Sequence, residues 1–245
     1  MEHLRNMSKL GKFIAARLTP EGELGLHLTL GVLSLAGAVW LFGGIAEEVM
    51  GADKMTDVDA QVAQWFHAHA TSGLTRFMLA VTYLHSSISI GVLSALLGTY
   101  FYMSNARYWL LSLVVAVPGG MLLNVLLKHI FTRSRPTFSN PILTLYTYSF
   151  PSGHTAAATL FYGIIASYLV CLTRDWGTRS AIVAGAVLMV LLVGMSRLYL
   201  GVHFLSDVLA AMVESCAWLS ICITASSTLR RHRAAGRGQQ QRGSA

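Results

Sequence analysis

The chain has 245 residues, of which 54% are hydrophobic and only 12% are charged, and its net charge is +7. Typical globular domains carry about 25% charged residues, so this composition argues against a soluble protein. The apolar residues are concentrated in stretches long enough to cross a bilayer, which takes about 20 residues per helix. The sequence therefore predicts an integral membrane protein.

The two ends of the chain are basic, and the part between them is apolar. Leu24–Ala46 is too long for the hydrophobic region of a signal peptide, so we predict no cleavable one. We expect a basic cytoplasmic N-terminal segment at 1–23, a membrane domain at 24–228 and a basic, disordered cytoplasmic tail at 229–245. The arginines of the tail also suit anionic lipid headgroups.

Six apolar segments account for the membrane domain. Backbone groups in hydrocarbon must be hydrogen-bonded within their own segment, so the segments are interpreted as helices. The sequence thus predicts an all-α fold, a bundle of six transmembrane helices. The predicted spans are Leu24–Ala46, Ile88–Met103, Tyr108–Phe131, His154–Leu172, Ala181–Met195 and Val208–Ala225.

The distribution of basic residues predicts the orientation. An even number of spans puts both termini on one side, and 12 of the 18 basic residues fall in the terminal segments and in the loops on that side. Basic loops stay in the cytoplasm, so the loops around 132–153 and 196–207 face outward. We expect a bacterial inner-membrane protein whose polar residues face the periplasm or exterior, and no nucleic-acid partner.

The first outer loop is predicted to contain an interfacial helix. Thr56 and Asp57 can cap it, and Val58, Val62, Trp65 and Phe66 form an apolar stripe. Three histidines in this region, His67, His69 and His85, are metal-ligand types, but lone histidines at an interface are more often solvated, and their spacing is not that of a metal site.

A first polar string follows the third span. Lys128 ends that span, and Arg135 follows seven residues later, immediately before Pro136. Because the proline discourages helix, a helix end and a loop can bring the two cations together. Arginine offers a planar fork for two phosphate oxygens and lysine a compact point charge. Snorkelling of both side chains to headgroups is the alternative.

A second string opens the fourth span with Ser152, Gly153 and His154. A helix N-terminus presents free N–H groups to an anion. Ser152 adds a hydroxyl, Gly153 allows close approach to the backbone, and His154 lies where the anion would dock. The alternative role of Ser152 is that of a helix cap, and the two roles are compatible.

A third string contains Arg197, His203 and Asp207. His203 and Asp207 are four residues apart, so on a helix they share a face. A carboxylate on one imidazole nitrogen fixes the tautomer and leaves the other nitrogen as a nucleophile or base. A structural His–Asp pair is the alternative. Glu214, seven residues further on inside the sixth span, is either an inward-facing structural acid or a residue that selects substrate.

The three strings resemble the type 2 phosphatidic acid phosphatase family, the membrane branch of a superfamily that includes vanadium haloperoxidases and bacterial acid phosphatases. That pattern is a Lys, six residues and Arg-Pro; then Pro-Ser-Gly-His; then Ser-Arg, five residues, His, three residues and Asp. It appears here without mismatch as Lys128…Arg135–Pro136, Pro151–Ser152–Gly153–His154 and Ser196–Arg197…His203…Asp207.

The resemblance implies a mechanism and a set of roles. His203 attacks phosphorus and forms a phosphohistidine, Asp207 orients His203, and His154 protonates the leaving oxygen. The phosphoryl oxygens are held by Lys128, Arg135, Ser152, Gly153 and Arg197. No cofactor is implied, and the three cations replace a metal in neutralising charge. Opposite starting states of His203 and His154 predict a bell-shaped pH profile.

The function predicted from these residues is a lipid phosphatase that acts on a phospholipid or polyprenyl (di)phosphate at the extracytoplasmic face. A lipid phosphotransferase would use the same phosphohistidine. A transporter of a phosphorylated solute is a rival of another class, although transporter sites lie near the midplane. The motifs determine neither the lipid nor the oligomeric state.

Overall fold

A computed structural model describes residues 26–51 and 54–243, with the side chains of residues 28–51 and 54–232. The basic segment predicted at 1–23 lies outside the described residues. Within the described ranges the fold is all-α, as predicted, and contains eight helices. They are α1 Leu26–Gly51, α2 Lys54–Ala68, α3 Ser72–Leu84, α4 Ser87–Met103, α5 Arg107–Phe131, α6 Gly153–Leu172, α7 Trp176–Tyr199 and α8 Leu205–Gly243.

Five of these helices, α1, α5, α6, α7 and α8, are long and apolar enough to cross a membrane. The shorter α3 and α4 qualify together as one bent element, with 50° between them. The count is therefore five or six spans, and the predicted span Ile88–Met103 corresponds to α4. Large apolar side chains point outward along the spans, among them Ile88, Leu122 and Trp40, as expected for surfaces in contact with lipid.

Helix α8 is longer than the last predicted span. It continues to Gly243, so residues 229–243 are helical where a disordered tail is expected from their basic, polar composition. The sequence contains no proline after Pro151 to stop the helix. The limits of the domains remain predictions.

Helix α6 is the central helix of the bundle. Half of the residues in its most apolar stretch are buried, compared with 6% of the residues in the corresponding stretch of α1. It packs against α4, α5, α7 and α8, and small residues, Ala156, Ala157 and Ala158, let these neighbours approach closely. The main core cluster contains Phe101 of α4 and Leu160 of α6.

The helix after the first span, α2, packs on the end of the bundle that contains the polar strings. It begins at Lys54, two residues before the predicted cap. Its buried residues are Asp59 and Ala63, and it contacts α7 and α8. Val58 and Trp65 of the predicted apolar stripe are exposed, whereas Val62 and Phe66 are half-buried and Phe66 packs against Tyr199.

Candidate active site

Two connections meet at one end of the bundle. Residues 132–152 join α5 to α6, and residues 200–204 join α7 to α8. The amide of Ser152 donates a hydrogen bond of 3.0 Å to the carbonyl of Asp207, which ties the first connection to the first turn of α8. All three polar strings lie in or beside these segments, so the fold brings them to the same end of the molecule.

His203 and Asp207 form a buried dyad. Nδ1 of His203 lies 3.3 Å from Oδ2 of Asp207, and the amide of Phe204 donates to the same oxygen at 2.8 Å. Because a carboxylate can only accept a hydrogen bond, the proton belongs on Nδ1. The lone pair of His203 is therefore on Nε2.

Arg135 lies against that nitrogen. Its Nη1 donates to Nε2 of His203 at 3.1 Å and to the carbonyl of Val202 at 2.5 Å. Its Nη2 donates to Oγ1 of Thr147 at 2.9 Å. A guanidinium can only donate, so this contact again requires an unprotonated Nε2. Burial lowers the pKa of Arg135, while the nearby carboxylate of Asp207 opposes that shift.

The surroundings of His203 favour its neutral form. Burial lowers the pKa of His203 well below its ordinary value, and the positive charges of Arg197, Arg135 and Lys128 lower it further. A neutral imidazole with an unprotonated Nε2 has the state required of a nucleophile.

Lys128 lies near the end of α5. Its Nζ donates to the carbonyls of Tyr148, Ser149 and Pro151 at 2.9, 3.2 and 2.5 Å. The ammonium group therefore holds the segment that leads into α6, and it does not extend towards the headgroup region. The snorkelling alternative does not describe this lysine.

The start of α6 is formed as a helix N-terminus, with Ser152 at the N-cap position. The hydroxyl of Ser152 lies 3.0 Å from that of Thr155, and it makes no hydrogen bond to a helix amide. A Cβ atom placed on Gly153 would meet Oδ1 of Asn124 at 3.4 Å. Gly153 thus lies within reach of Asn124, and His154 is the next residue.

Arg197 is buried near the end of α7. Its Nη1 donates a short hydrogen bond to Oγ1 of Thr82 in α3. Its Nε and Nη2 find no hydrogen-bond partner among the described residues. Buried donors of an arginine are almost always paired, so two unpaired ones suit an anion that binds there.

A cavity of about 630 Å³ lies between these groups. Five of the eight predicted site residues line it: Lys128, Arg135, Gly153, His154 and His203. The other three, Ser152, Arg197 and Asp207, are buried close to its lining residues. The structure thus brings all eight to one region. Tyr146, Thr147 and Tyr148 form part of its wall, and the sequence motifs gave no sign of them.

Glu214 is joined to the cavity through Asn124. Nδ2 of Asn124, on α5, donates to Oε1 of Glu214, on α8, at 2.6 Å. Asn124 lines the cavity, while Oε2 of Glu214 has no partner among the described residues. Of the two interpretations of Glu214, the inward-facing acid in an interhelical hydrogen bond describes its position.

The three histidines considered as metal ligands have other contacts. His85 is buried: its Nδ1 donates to the carbonyl of Val81 and its Nε2 is hydrogen-bonded to the hydroxyl of Tyr162, both at 2.8 Å. Its interpretation as a solvated side chain is therefore wrong. His67 stacks on Phe138 with 4.2 Å between ring centroids. His69 stacks on Trp65.

Comparison with known proteins agrees with the fold and the site. The model of the PAP2 superfamily matches residues 108–231. Phosphatidylglycerophosphatase B of Bacillus subtilis (strain 168) is 34% identical over 139 residues, which cover 56% of this chain and 67% of that protein. The residues matched by the family model include all three polar strings.

Two solved structures share the architecture. The crystal structure of the first transmembrane PAP2 type phosphatidylglycerolphosphate phosphatase, from Bacillus subtilis, has a TM-score of 0.71 at 25% identity and covers 77% of this chain and 94% of that chain. The crystal structure of Aquifex aeolicus LpxE has a TM-score of 0.54 at 23% identity, with coverage of 66% and 94%. The second likeness is one of fold.

A helical membrane bundle with a His–Asp dyad and clustered cations at one end defines a membrane phosphatase. The chain belongs to the PAP2 superfamily, since the family model matches half of its length. The family resemblance stated from the three strings is confirmed.

Proposed function

We propose that the protein is a lipid phosphatase that removes a terminal phosphate at the extracytoplasmic face through a phosphohistidine on His203. The observation that carries the proposal is the dyad. Nε2 of His203 is unprotonated and faces the cavity beside Arg135, while Nδ1 is held by Asp207.

In the first step the Nε2 lone pair attacks phosphorus. The N–P bond forms as the bond from phosphorus to the lipid oxygen breaks, and His154 gives a proton to that leaving oxygen. Asp207 stabilises the positive charge that develops on the imidazole ring. The product is the dephosphorylated lipid, and the phosphoryl group stays on His203.

In the second step water attacks the phosphohistidine. His154, now neutral, takes a proton from the water, the N–P bond breaks, and inorganic phosphate leaves. Lys128, Arg135 and Arg197 neutralise the phosphoryl oxygens in both steps, with Ser152 and the Gly153 amide as further donors. Phosphoryl transfer depends mainly on such positioning and electrostatic stabilisation, so we expect no metal requirement.

The names of the relatives direct the choice of lipid. Phosphatidylglycerophosphatase B is 34% identical over 139 residues, so phosphatidylglycerophosphate is the first substrate to test. Phosphatidate and undecaprenyl diphosphate present a terminal phosphate to the same cations and serve as alternatives.

The test is phosphate release by the detergent-purified protein from these three lipids, with EDTA present. We expect release from at least one lipid, and a loss of at least about a thousandfold in His203→Ala, as when a catalytic nucleophile is removed. Equal release by wild type and variant contradicts the mechanism. A radiolabelled glycerol acceptor is included, because labelled glycerol phosphate in place of free phosphate would identify a phosphotransferase.

A further inference from the structure

Behind the dyad lies a buried ion-pair network that joins Asp207 to Arg133 and Asp59, two residues that the family pattern does not specify. Nη1 of Arg133 donates to Oδ1 of Asp207 and to Oγ of Ser206, both at 2.7 Å. Nη2 of the same guanidinium donates to Oδ2 of Asp59 at 2.8 Å. Arg133 therefore bridges two carboxylates, one on α2 and one on α8.

Asp59 is fixed as firmly as Asp207. Its side chain is fully buried, although its neighbours Asp57 and Val58 are exposed. Oδ1 accepts the amide of Ser206 at 2.9 Å, and Oδ2 accepts a short hydrogen bond from the Ser206 hydroxyl. Burying a carboxylate costs several kcal/mol unless it is paired and hydrogen-bonded, and this one has three donors.

The network reaches the nucleophile through the carboxylate of Asp207. Arg133 holds Oδ1, whereas the His203 ring and the Phe204 amide hold Oδ2. A carboxylate that is hydrogen-bonded at both oxygens is held against rotation, so the direction of its hydrogen bond to Nδ1 is fixed. The guanidinium of Arg133 also lies over the Phe204 ring at 4.4 Å, next to His203 in the chain.

Neither Asp59 nor Arg133 lines the cavity. Their effect on a bound phosphate must therefore pass through Asp207 and His203. We propose that Asp59 and Arg133 are positioning residues that keep the Asp207–His203 dyad aligned for attack on phosphorus. Helix α2, which contains Asp59, therefore contributes to the active site. The proposal rests on the proposed role of His203 as nucleophile.

A positioning role and a structural role predict different measurements. Inorganic phosphate needs only the cations of the cavity, whereas orthovanadate takes Nε2 of His203 as a fifth ligand without losing an atom, and so needs an aligned nucleophile. Transition-state mimics depend on alignment much more than ground-state ligands do. Misplacing a reacting group by about 1 Å costs up to about 100-fold in rate.

The experiment measures the affinities of the detergent-purified protein for orthovanadate and inorganic phosphate. In Asp59→Asn we expect vanadate to bind about 10- to 100-fold more weakly, with phosphate affinity unchanged. Asp57→Asn, two residues away on the exposed side of α2, is the matched control and should behave as wild type. With a hydrolysed lipid, kcat of Asp59→Asn should fall by the same factor while KM stays constant.

Variants of Arg133 separate charge from geometry. Arg133→Gln should lose more vanadate affinity than Asp59→Asn. Arg133→Lys should retain only part of the wild-type vanadate affinity, because an ammonium group cannot bridge two carboxylates as a planar guanidinium does. If Arg133→Gln does not purify as a monodisperse protein, the vanadate affinities of Arg133→Lys and Asp59→Asn test the positioning role. Unchanged vanadate affinity in Asp59→Asn, or an equal loss of vanadate and phosphate, overturns the proposal.

The two proposals fail in different ways. Wild-type protein that binds vanadate but hydrolyses none of the three lipids contradicts the lipid phosphatase function, and the variants still test the positioning role through vanadate. Wild-type protein that binds phosphate but no vanadate overturns His203 as the nucleophile, and with it the positioning role.

Discussion

At His203, burial and the neighbouring cations act in the same direction and favour the neutral imidazole. The nucleophile proposed here must be unprotonated, and a pKa lowered from the usual 6.5 means that the proton binds only at more acidic pH. Activity is therefore retained through mildly acidic pH. The acid limb of kcat/KM, measured on a hydrolysed lipid, should lie below pH 6.5.

A matched pair of variants tests the cause of that shift. Arg135→Gln removes a positive charge 3.1 Å from Nε2, so the pKa of His203 should rise and the acid limb should move to higher pH. Arg76→Gln, on the exposed side of α3, should leave the limb in place. A limb that stays fixed or moves to lower pH in Arg135→Gln contradicts the electrostatic account.

Arg197 provides a second prediction at this scale. Its two unpaired buried donors are placed to hold oxygens that a lysine could not reach together. In Arg197→Lys we expect the inhibition constant for inorganic phosphate to rise about tenfold, the loss of one charged hydrogen bond. Arg179→Lys, at the other end of α7, should change nothing. An equal inhibition constant for inorganic phosphate in both variants would show that Arg197 does not bind the phosphate.

The eight predicted site residues could be found from sequence because each lies in a short string with fixed spacing. Asp59 and Thr82 could not. Asp59 meets Arg133 across 74 residues, and Thr82 meets Arg197 across 115. One acid or one threonine in an amphipathic helix carries no spacing signal. Arg133 lies inside the first string, and its position between Lys128 and Arg135 was the only available sign.

At the scale of the helices, close packing of α5 on α6 and α8 depends on small residues. A Cβ atom on Gly120 would lie 2.5 Å from Cδ1 of Leu160 and 3.0 Å from Cδ1 of Trp218. Gly120→Ala should therefore destabilise the protein by about 1–3 kcal/mol, the usual cost of overpacking a core. Thermal unfolding in detergent measures the change.

Gly37→Ala is the control for that substitution. No atom lies within 4 Å of a Cβ placed on Gly37 of α1, and alanine favours helix over glycine by about 1 kcal/mol. This variant should be as stable as wild type or more stable. An equal loss of stability in both variants would contradict the packing explanation, because helix propensity favours alanine at both positions.

Helix type and approximate length followed from hydropathy, because each span must satisfy its own backbone. What hydropathy missed was the helix that precedes the second predicted span. Ser72–Leu84 forms α3, bent by 50° from α4 at the His85–Ser86 break. The bend places His85 against Tyr162 and Thr82 against Arg197, contacts that depend on tertiary packing alone.

For the whole molecule, the basic residues predict that the catalytic end faces outward. The test uses single cysteines in a variant whose three native cysteines are replaced by alanine. Tyr146→Cys, in the exposed loop at the catalytic end, should react with a membrane-impermeant thiol reagent in intact cells. Trp176→Cys, exposed at the opposite end of α7, should react only after the membrane is opened. The reverse labelling pattern would show that the catalytic end faces the cytoplasm.

The packing of α1 against α8 has a consequence for biosynthesis. A ribosome makes α1 first and α8 last, so the bundle closes only after the final span has entered the bilayer. Asp207 opens that final span and Asp59 follows the first, so the nucleophile has its partners only when both ends of the described bundle are in place. We therefore expect the protein to stay inactive until its last described helix is in place.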